Sequence, residues 1–391
     1  MLQEPVNGKC VQHSLAQVAA SSSSPLMRLF TDTYRALLCK ELKRDINPIL
    51  TEFPSKNDFL PPKNPIVLCH GLSGFDKLIL IPSVFQLTRI VSNFIVGNRD
   101  EYFIEEDTDA DATKSIFEVE YWMGVKEKLE EKGCTVITSK VPSFGSIEER
   151  AVILNAFLEK ETKRLKETLN KGQVYNTEEV DSNASFKAEE RIKLNLIAHS
   201  MGGLDCRYLI SRIPNKSYKV VSLTTVSTPH RGSEMADYVV ALFEDLKEGA
   251  PFDTRKQVLP PSFYELTTQY MSYFNKITPD DPDVSYFSYG AYFEPKWYNA
   301  FVMPWKIIYT ATNGQPNDGM VTVRSSKWGE YQGTLADTDH LDLINWKNKI
   351  QKDIGKLFDN TSHSAEKAVK PEIDILNFYL RIADDLARKG F

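Results

Sequence analysis

The chain has few cysteines, no long apolar run and no excess of positive charge. Five cysteines (Cys10, Cys39, Cys69, Cys134 and Cys206) stand among 391 residues, in odd number and without a CxxC pair. That excludes a disulfide-dense scaffold or a Cys/His zinc module and fits a reducing setting. No stretch of about 18 apolar residues occurs, so no membrane-spanning helix is predicted, and the first residues lack a secretory apolar core. A net charge of −6 leaves no basic face for nucleic acid. Neither a P-loop nor a GxGxxG after a strand is present, and nothing calls for an organic cofactor.

What is there reads as an α/β protein. Short apolar runs at Asn64–Cys69, Cys134–Ser139, Lys193–Ala198, Val220–Val226 and Lys306–Ala311 have the length and bounding turns of buried strands. Helical patterns at about Glu118–Lys132, Ser146–Asn170 and Met201–Ile213 separate several of them. Alternation of this kind predicts a mostly parallel central sheet flanked by helices on both faces. Residues 1–60 read as an N-terminal extension ending at Pro61–Pro62, and 61–391 as the main domain. Within the extension, Val11–Thr31 has no acidic residue and carries Ser21 to Ser24 and Arg28, a composition shared by mitochondrial presequences and by disordered, non-targeting tails. Polar stretches at about 98–115 and 169–190 read as mobile insertions. A last amphipathic helix follows Pro371, with Gly390 to end it. Between Phe263 and Trp305 there are fourteen Phe, Tyr or Trp residues in forty-three positions, more than a connecting loop needs. That stretch predicts an aromatic cap or lid over about 234–305.

The chemistry concentrates in a few motifs. Ala198-His199-Ser200-Met201-Gly202-Gly203 follows a strand pattern and opens a helix. A serine on such a turn is lifted clear of the sheet, provided that the residues two before and two after it are small. His70-Gly71-Leu72-Ser73-Gly74 comes straight after the first core strand. Acyl transfer needs two main-chain N–H donors at the developing oxyanion, and the candidates are Leu72 and Met201. Six histidines allow elimination of a base. His13 and His363 lie in polar segments, and His199 should be turned away by the elbow. His70 belongs to the glycine turn, and His230 reads as structural or pocket-lining. His340 remains, late in the chain as the order serine, acid, histidine requires. The acid then falls on Asp318, in the turn Asn317-Asp318-Gly319 that closely follows the apolar run at 306–311. Asp337 and Asp339 compete but sit in the histidine's own loop.

At these motifs the chain resembles the bacterial lipases of the Pseudomonas and Burkholderia type, through HGLSGFDK, YWMGVKEKLEEKGCTV, AHSMGGLDCRY, STPHRGSEMADYV, NDGMV and HLDLIN. It is more closely similar to the mitochondrial triacylglycerol lipases of yeasts, through PPKNPIVLCHGLSGFDKLILIPSVF, FGSIEERA, SYFSYG, PKWYN and SSKWGEY, over roughly residues 61–390. The resemblance implies the α/β-hydrolase fold, hydrolysis of tri- and diacylglycerols, and a mitochondrial location; an acylglycerol substrate brings with it an expected peripheral contact with a membrane or lipid-droplet surface. It also puts nucleophile, acid and base on Ser200, Asp318 and His340. Relatives of the bacterial type imply a structural calcium near the base. Here Asp342 matches one ligand, Lys296 and Glu294 stand near a second position, and Trp346 occupies a third. That is too few oxygens for calcium, so no metal is expected, and Asp342 is expected to bond its own loop. The same triad would serve a phospholipase or a lipid acyltransferase, and an inactive scaffold is the rival from outside enzymes.

Overall fold

In this computed structural model the described residues are 46–72, 121–174, 191–248, 259–295, 301–346 and 373–391. Within them lies a seven-stranded, wholly parallel sheet in the order β1-β7-β6-β5-β4-β2-β3. The strands are β1 Ile49–Leu50, β2 Ile66–Cys69, β3 Val136–Thr138, β4 Ile192–His199, β5 Tyr218–Val226, β6 Ser285–Ala291 and β7 Glu330–Leu335. Their side chains alternate between two cores, as the period of two demands. Ile66 and Leu68 of β2 face one apolar cluster, and Val67 and Cys69 face the other. Helices α1 (Val125–Glu131) and α9 (Ile375–Arg388) cover the first face. Helices α2 (Ile147–Val174) and α3 (Gly202–Arg212) cover the second and pack on each other.

Strand order reverses between β2 and β4. From β2 the chain crosses outward to β3, and from β4 it proceeds the other way through β5 and β6. In an open parallel sheet the loops at such a reversal separate and leave a crevice at the strands' carboxyl ends. Here the register aligns Cys69 with Ala198, so the turns holding Gly71 and Ser200 emerge side by side.

Several expectations are corrected. The run at 306–311 is not a strand but the end of helix α7, Val302–Ala311. A short apolar run does not reveal its own period, and here the contacts are helical: Trp305 stacks on Tyr309 at 4.5 Å, and Thr312 N–H donates to the Ile308 carbonyl. The sheet uses instead β6, which falls inside the expected cap, and β7, where none was expected. Two aromatics of β6 fill the core rather than a pocket, Phe287 against Phe391 and Tyr289 against Phe378. The cap is therefore not one block over 234–305. The helical part of that region comprises α4 (Glu234–Glu248), α5 (Pro261–Glu265), α6 (Thr268–Ile277) and α7, on either side of β6 in sequence, and the short helix α8 (Val323–Ser326) follows. Met235, Val239, Phe243, Leu259 and Ile308 form the cap's own small core. Residues 169–174 continue helix α2 rather than starting an insertion. The remainder of that insertion, the one at 98–115 and the targeting-like stretch at 11–31 lie outside the described residues.

The fold also begins earlier than residue 61. Strand β1 joins the sheet beside β7, and Phe53 is buried against Phe378. Asp384 of α9, its side chain fully buried, accepts from Lys56 Nζ at 2.6 Å, Leu60 N at 3.0 Å and Arg388 Nε at 2.9 Å. Burial raises this carboxyl's pKa, but the three donors outweigh it and hold the group down at about 2, against 3.8 unperturbed. A depressed folded-state pKa gives stability that is full above the unfolded value and is lost as pH falls through the folded one. Asp384→Asn should therefore cost about 1–2 kcal/mol at neutral pH, discounted because Lys56 and Arg388 are half-exposed. Urea titrations should show the variant and wild type converging between pH 4 and 2.

Candidate active site

Ser200 is the first residue past β4 and has φ +55°, a conformation costly for a residue with a side chain. The strain is locked in place. Ser200 N–H donates to the Val226 carbonyl at 3.0 Å, and the Ser200 carbonyl accepts from Gly203 N at 3.1 Å and Thr228 Oγ1 at 2.7 Å. The tight turn demands glycine behind it. A Cβ on Gly202 would lie 2.5 Å from the His70 carbonyl oxygen, and one on Gly71 would lie 2.7 Å from the Ser200 Cβ. Ala198, where many such elbows have glycine, is buried without distorting the strand pairing.

Three side chains distant in sequence meet here. Ser200 Oγ lies 2.9 Å from His340 Nε2, and His340 Nδ1 lies 2.7 Å from Asp318 Oδ2. Asp318 is fully buried and His340 nearly so. The other Asp318 oxygen accepts from Met320 N at 2.9 Å and Val321 N at 2.7 Å, and the Asp318 carbonyl accepts from His340 N at 2.9 Å. The carboxylate is thus anchored from one side and presents one oxygen to the imidazole. That oxygen can only accept, so Nδ1 carries the proton and Nε2 is left to accept from the serine hydroxyl. Such a chain can draw the proton from Ser200 as its oxygen attacks a carbonyl.

The side chains of Leu72 and Met201 pack in one apolar cluster with Ile147, Leu204 and the cap residues Leu266, Met271 and Phe274. Their adjacency follows from the switch point, since Leu72 trails the β2 turn and Met201 the β4 turn. Holding that first turn is a residue the sequence reading overlooked. Arg150 is fully buried and donates to the His70, Gly71 and Pro142 carbonyls, and twice to Asp205 Oδ2, at 2.6–3.1 Å. Burial pushes the Asp205 carboxyl up to about 6, and Arg150 pulls against that shift. The signal for Arg150 was present: it falls on the same helix face as Ile147, Ala151, Leu154 and Leu158, all buried.

The other histidines are placed as follows. Val141 N–H donates to His70 Nε2 at 3.1 Å, so His70 Nδ1 holds the proton and donates to the Gly71 carbonyl at 2.9 Å. Burial, then the charge of Arg150, lowers the His70 pKa to about 3, which keeps that turn neutral. His230 is structural: it stacks on Trp328, bonds Thr225 Oγ1 and sits beside the buried Arg207. His199 is not turned away, because its ring packs on that of His340 with centroids 4.6 Å apart.

Asp339 and Asp342 brace the His340 loop. Asp339 Oδ1 accepts from Leu341 N and Asp342 N, and Asp342 Oδ2 accepts from Asp339 N. The loop is tied outward through Asn345 Nδ2 to the Met123 carbonyl at 2.7 Å and through Tyr379 Oη to the Leu343 carbonyl at 3.0 Å. A calcium ion does not fit this donor set: among the described residues no three His, Cys, Asp or Glu side chains are placed to hold a metal ion. Glu294 is exposed, the Trp346 side chain has no oxygen, and Lys296 lies outside the described residues. Protein hydrogen bonds from α9 and the segment before α1 supply the bracing instead.

A hydroxyl, an imidazole and a buried carboxylate in series, at the switch point of this parallel sheet, define the serine hydrolases of the α/β-hydrolase fold. A family profile described as "Putative serine esterase (DUF676)" matches residues 174–328. Triacylglycerol lipase 2 of Saccharomyces cerevisiae is 58% identical over 337 residues, spanning 86% of this chain and 94% of that protein. The triacylglycerol lipase of Burkholderia plantarii is 27% identical over 175 residues, 45% of this chain and 32% of that one. Among solved structures, Staphylococcus hyicus lipase is similar with a TM-score of 0.47 at 19% identity, over 85% of this chain and 98% of that chain. With identity of that extent to the yeast protein, the chain belongs to the triacylglycerol lipase family.

Proposed function

We propose that this chain hydrolyses the carboxylic ester bonds of triacylglycerols and diacylglycerols through an acyl-enzyme on Ser200. The observation that carries the reading is the unbroken chain from Ser200 Oγ through His340 to Asp318. Ser200 Oγ attacks the ester carbonyl as His340 Nε2 takes its proton. The tetrahedral oxyanion is held by the Leu72 and Met201 amides. His340 then protonates the departing glycerol oxygen, activates a water, and the acyl group leaves as a fatty acid. Asp318 keeps the ring oriented and stabilises its cation. No cofactor enters these steps.

The family relationship, and the apolar cluster in which the Leu72 and Met201 side chains pack with Leu266, Met271 and Phe274, support an acylglycerol substrate. Cap helices α6 and α7 expose Tyr273 and Tyr309, which suit peripheral contact with a membrane or lipid-droplet surface. Among the described residues no helix is long and apolar enough to cross a membrane. We place the protein at mitochondria on the strength of the resemblance to the yeast enzymes and the acid-free stretch at Val11–Thr31; imaging with and without residues 1–45 tests that placement.

The function is tested by product analysis from triolein, diolein and phosphatidylcholine emulsions with wild type and Ser200→Ala. Oleate from triolein and diolein, abolished in the variant, is the expected result. Oleate or lysolipid from phosphatidylcholine alone would make the protein a phospholipase, and acyl transfer to an added lipid alcohol in place of water would make it an acyltransferase. A wild-type chain that a fluorophosphonate fails to label would be a scaffold.

A further inference from the structure

Two buried polar side chains beside the site have no part in the steps above, Tyr121 and His199. The Gly71 amide donates to Tyr121 Oη at 3.0 Å, and Tyr121 Oη lies 2.6 Å from His199 Nδ1. An amide can only donate, so the hydroxyl accepts from Gly71, and its own proton is available to His199 Nδ1. With that proton donated, His199 carries its own on Nε2. Burial, then the neighbouring His340, holds its pKa well below the usual histidine value, so the ring is neutral. The far edge of the ring lies against the His340 main chain, and its face lies 4.6 Å from the His340 ring. Trp122 packs edge-on against His199 from one side and against Tyr379 of α9 from the other.

We propose that Tyr121 and His199 are a positioning pair that sets the distance between the oxyanion turn and the His340 base. The turn hangs on the Tyr121 hydroxyl through the Gly71 amide, one residue before Leu72. The base rests on the His199 ring. Ser200 lies between them, covalently joined to His199 and in contact with Gly71. One short hydrogen bond therefore ties the group that receives the oxyanion to the group that moves the proton. A neutral neighbour is also what the base needs, because a second imidazolium at this separation would oppose the cation that His340 becomes.

The inference rests on Ser200 being the nucleophile, so wild type is first titrated with a fluorophosphonate. Failure to label Ser200 would sink that reading; successful labelling leaves the positioning pair to be tested separately. With kcat on a soluble p-nitrophenyl ester expressed per titrated site, Tyr121→Phe should lose about 10- to 100-fold in kcat with KM changed less than about threefold. His199→Asn keeps an acceptor near the Nδ1 position for the Tyr121 proton and should retain most of kcat. His199→Leu keeps bulk but no acceptor and should fall as Tyr121→Phe does, and the double variant Tyr121→Phe/His199→Leu should be no worse than either. A kcat for Tyr121→Phe within about threefold of wild type overturns the proposal, as does an equal loss in His199→Asn and His199→Leu. If Tyr121→Phe does not fold, the His199 pair decides alone.

Discussion

Ser200→Ala and His340→Ala should each lower kcat by about 10⁶, and the double variant should be scarcely slower than either. The two residues perform one act: the hydroxyl is a poor nucleophile until Nε2, 2.9 Å away, accepts its proton. With either partner missing, what remains is the oxyanion site and substrate binding, and a second deletion removes nothing further. The measurement is kcat for ester hydrolysis, normalised to folded protein, with fluorophosphonate labelling as a parallel readout. A loss below about tenfold in His340→Ala would falsify the assignment of the base. The obvious substitute, His199, cannot rescue the variant. It is buried, its Nδ1 is engaged by Tyr121, and burial lowers its pKa well below the usual histidine value.

Those two residues were legible because each sits in a local pattern with a mechanical meaning. Ser200 lies where a buried strand gives way to a glycine-rich helix start, and the structure shows why the glycines are needed: the β2 turn passes directly over Gly202, and the Thr228 and Thr225 side chains crowd Gly203. His340 emerged by elimination and chain order. Asp318 was reached although the strand assigned before it is a helix. The Asn-Asp-Gly turn carried that inference, and the turn's own hydrogen bonds do hold the carboxylate.

What was not legible depends on contacts between distant segments. Strand β7 reads Glu-Tyr-Gln-Gly-Thr-Leu, polar and interrupted by Gly333, and only its neighbours make it a strand. Gly333, at φ +149°, gives passage to β1, since a Cβ there would strike Leu50. β1 itself is two residues long, too short to show a period. Strand β6 was hidden by its aromatic content, which suits a cap lining and a buried strand equally. Tyr121 and His199 were passed over because their meaning lies in each other, 78 residues apart.

Asp318→Asn should lower kcat by about 10⁴ while leaving KM and the fold nearly unchanged. The reason is directional. One Asp318 oxygen accepts from the Met320 and Val321 amides, which cannot turn round, so in the variant the asparagine oxygen must stay with them. Its NH₂ group then occupies the place of Oδ2 and donates toward His340 Nδ1. That nitrogen must give up its proton, the tautomer inverts, and Nε2 points a hydrogen at Ser200 Oγ where a lone pair is needed. The variant therefore keeps its shape and loses its base, which separates it from Asp318→Ala, where the ring is merely released. A neutron or NMR observation of the His340 proton on Nδ1 in the asparagine variant, or a kcat within tenfold of wild type, would refute this account. The prediction isolates what the carboxylate contributes: the Ser200–His340 contact can persist with every heavy atom in place, and the reaction still fails because one proton sits on the wrong nitrogen.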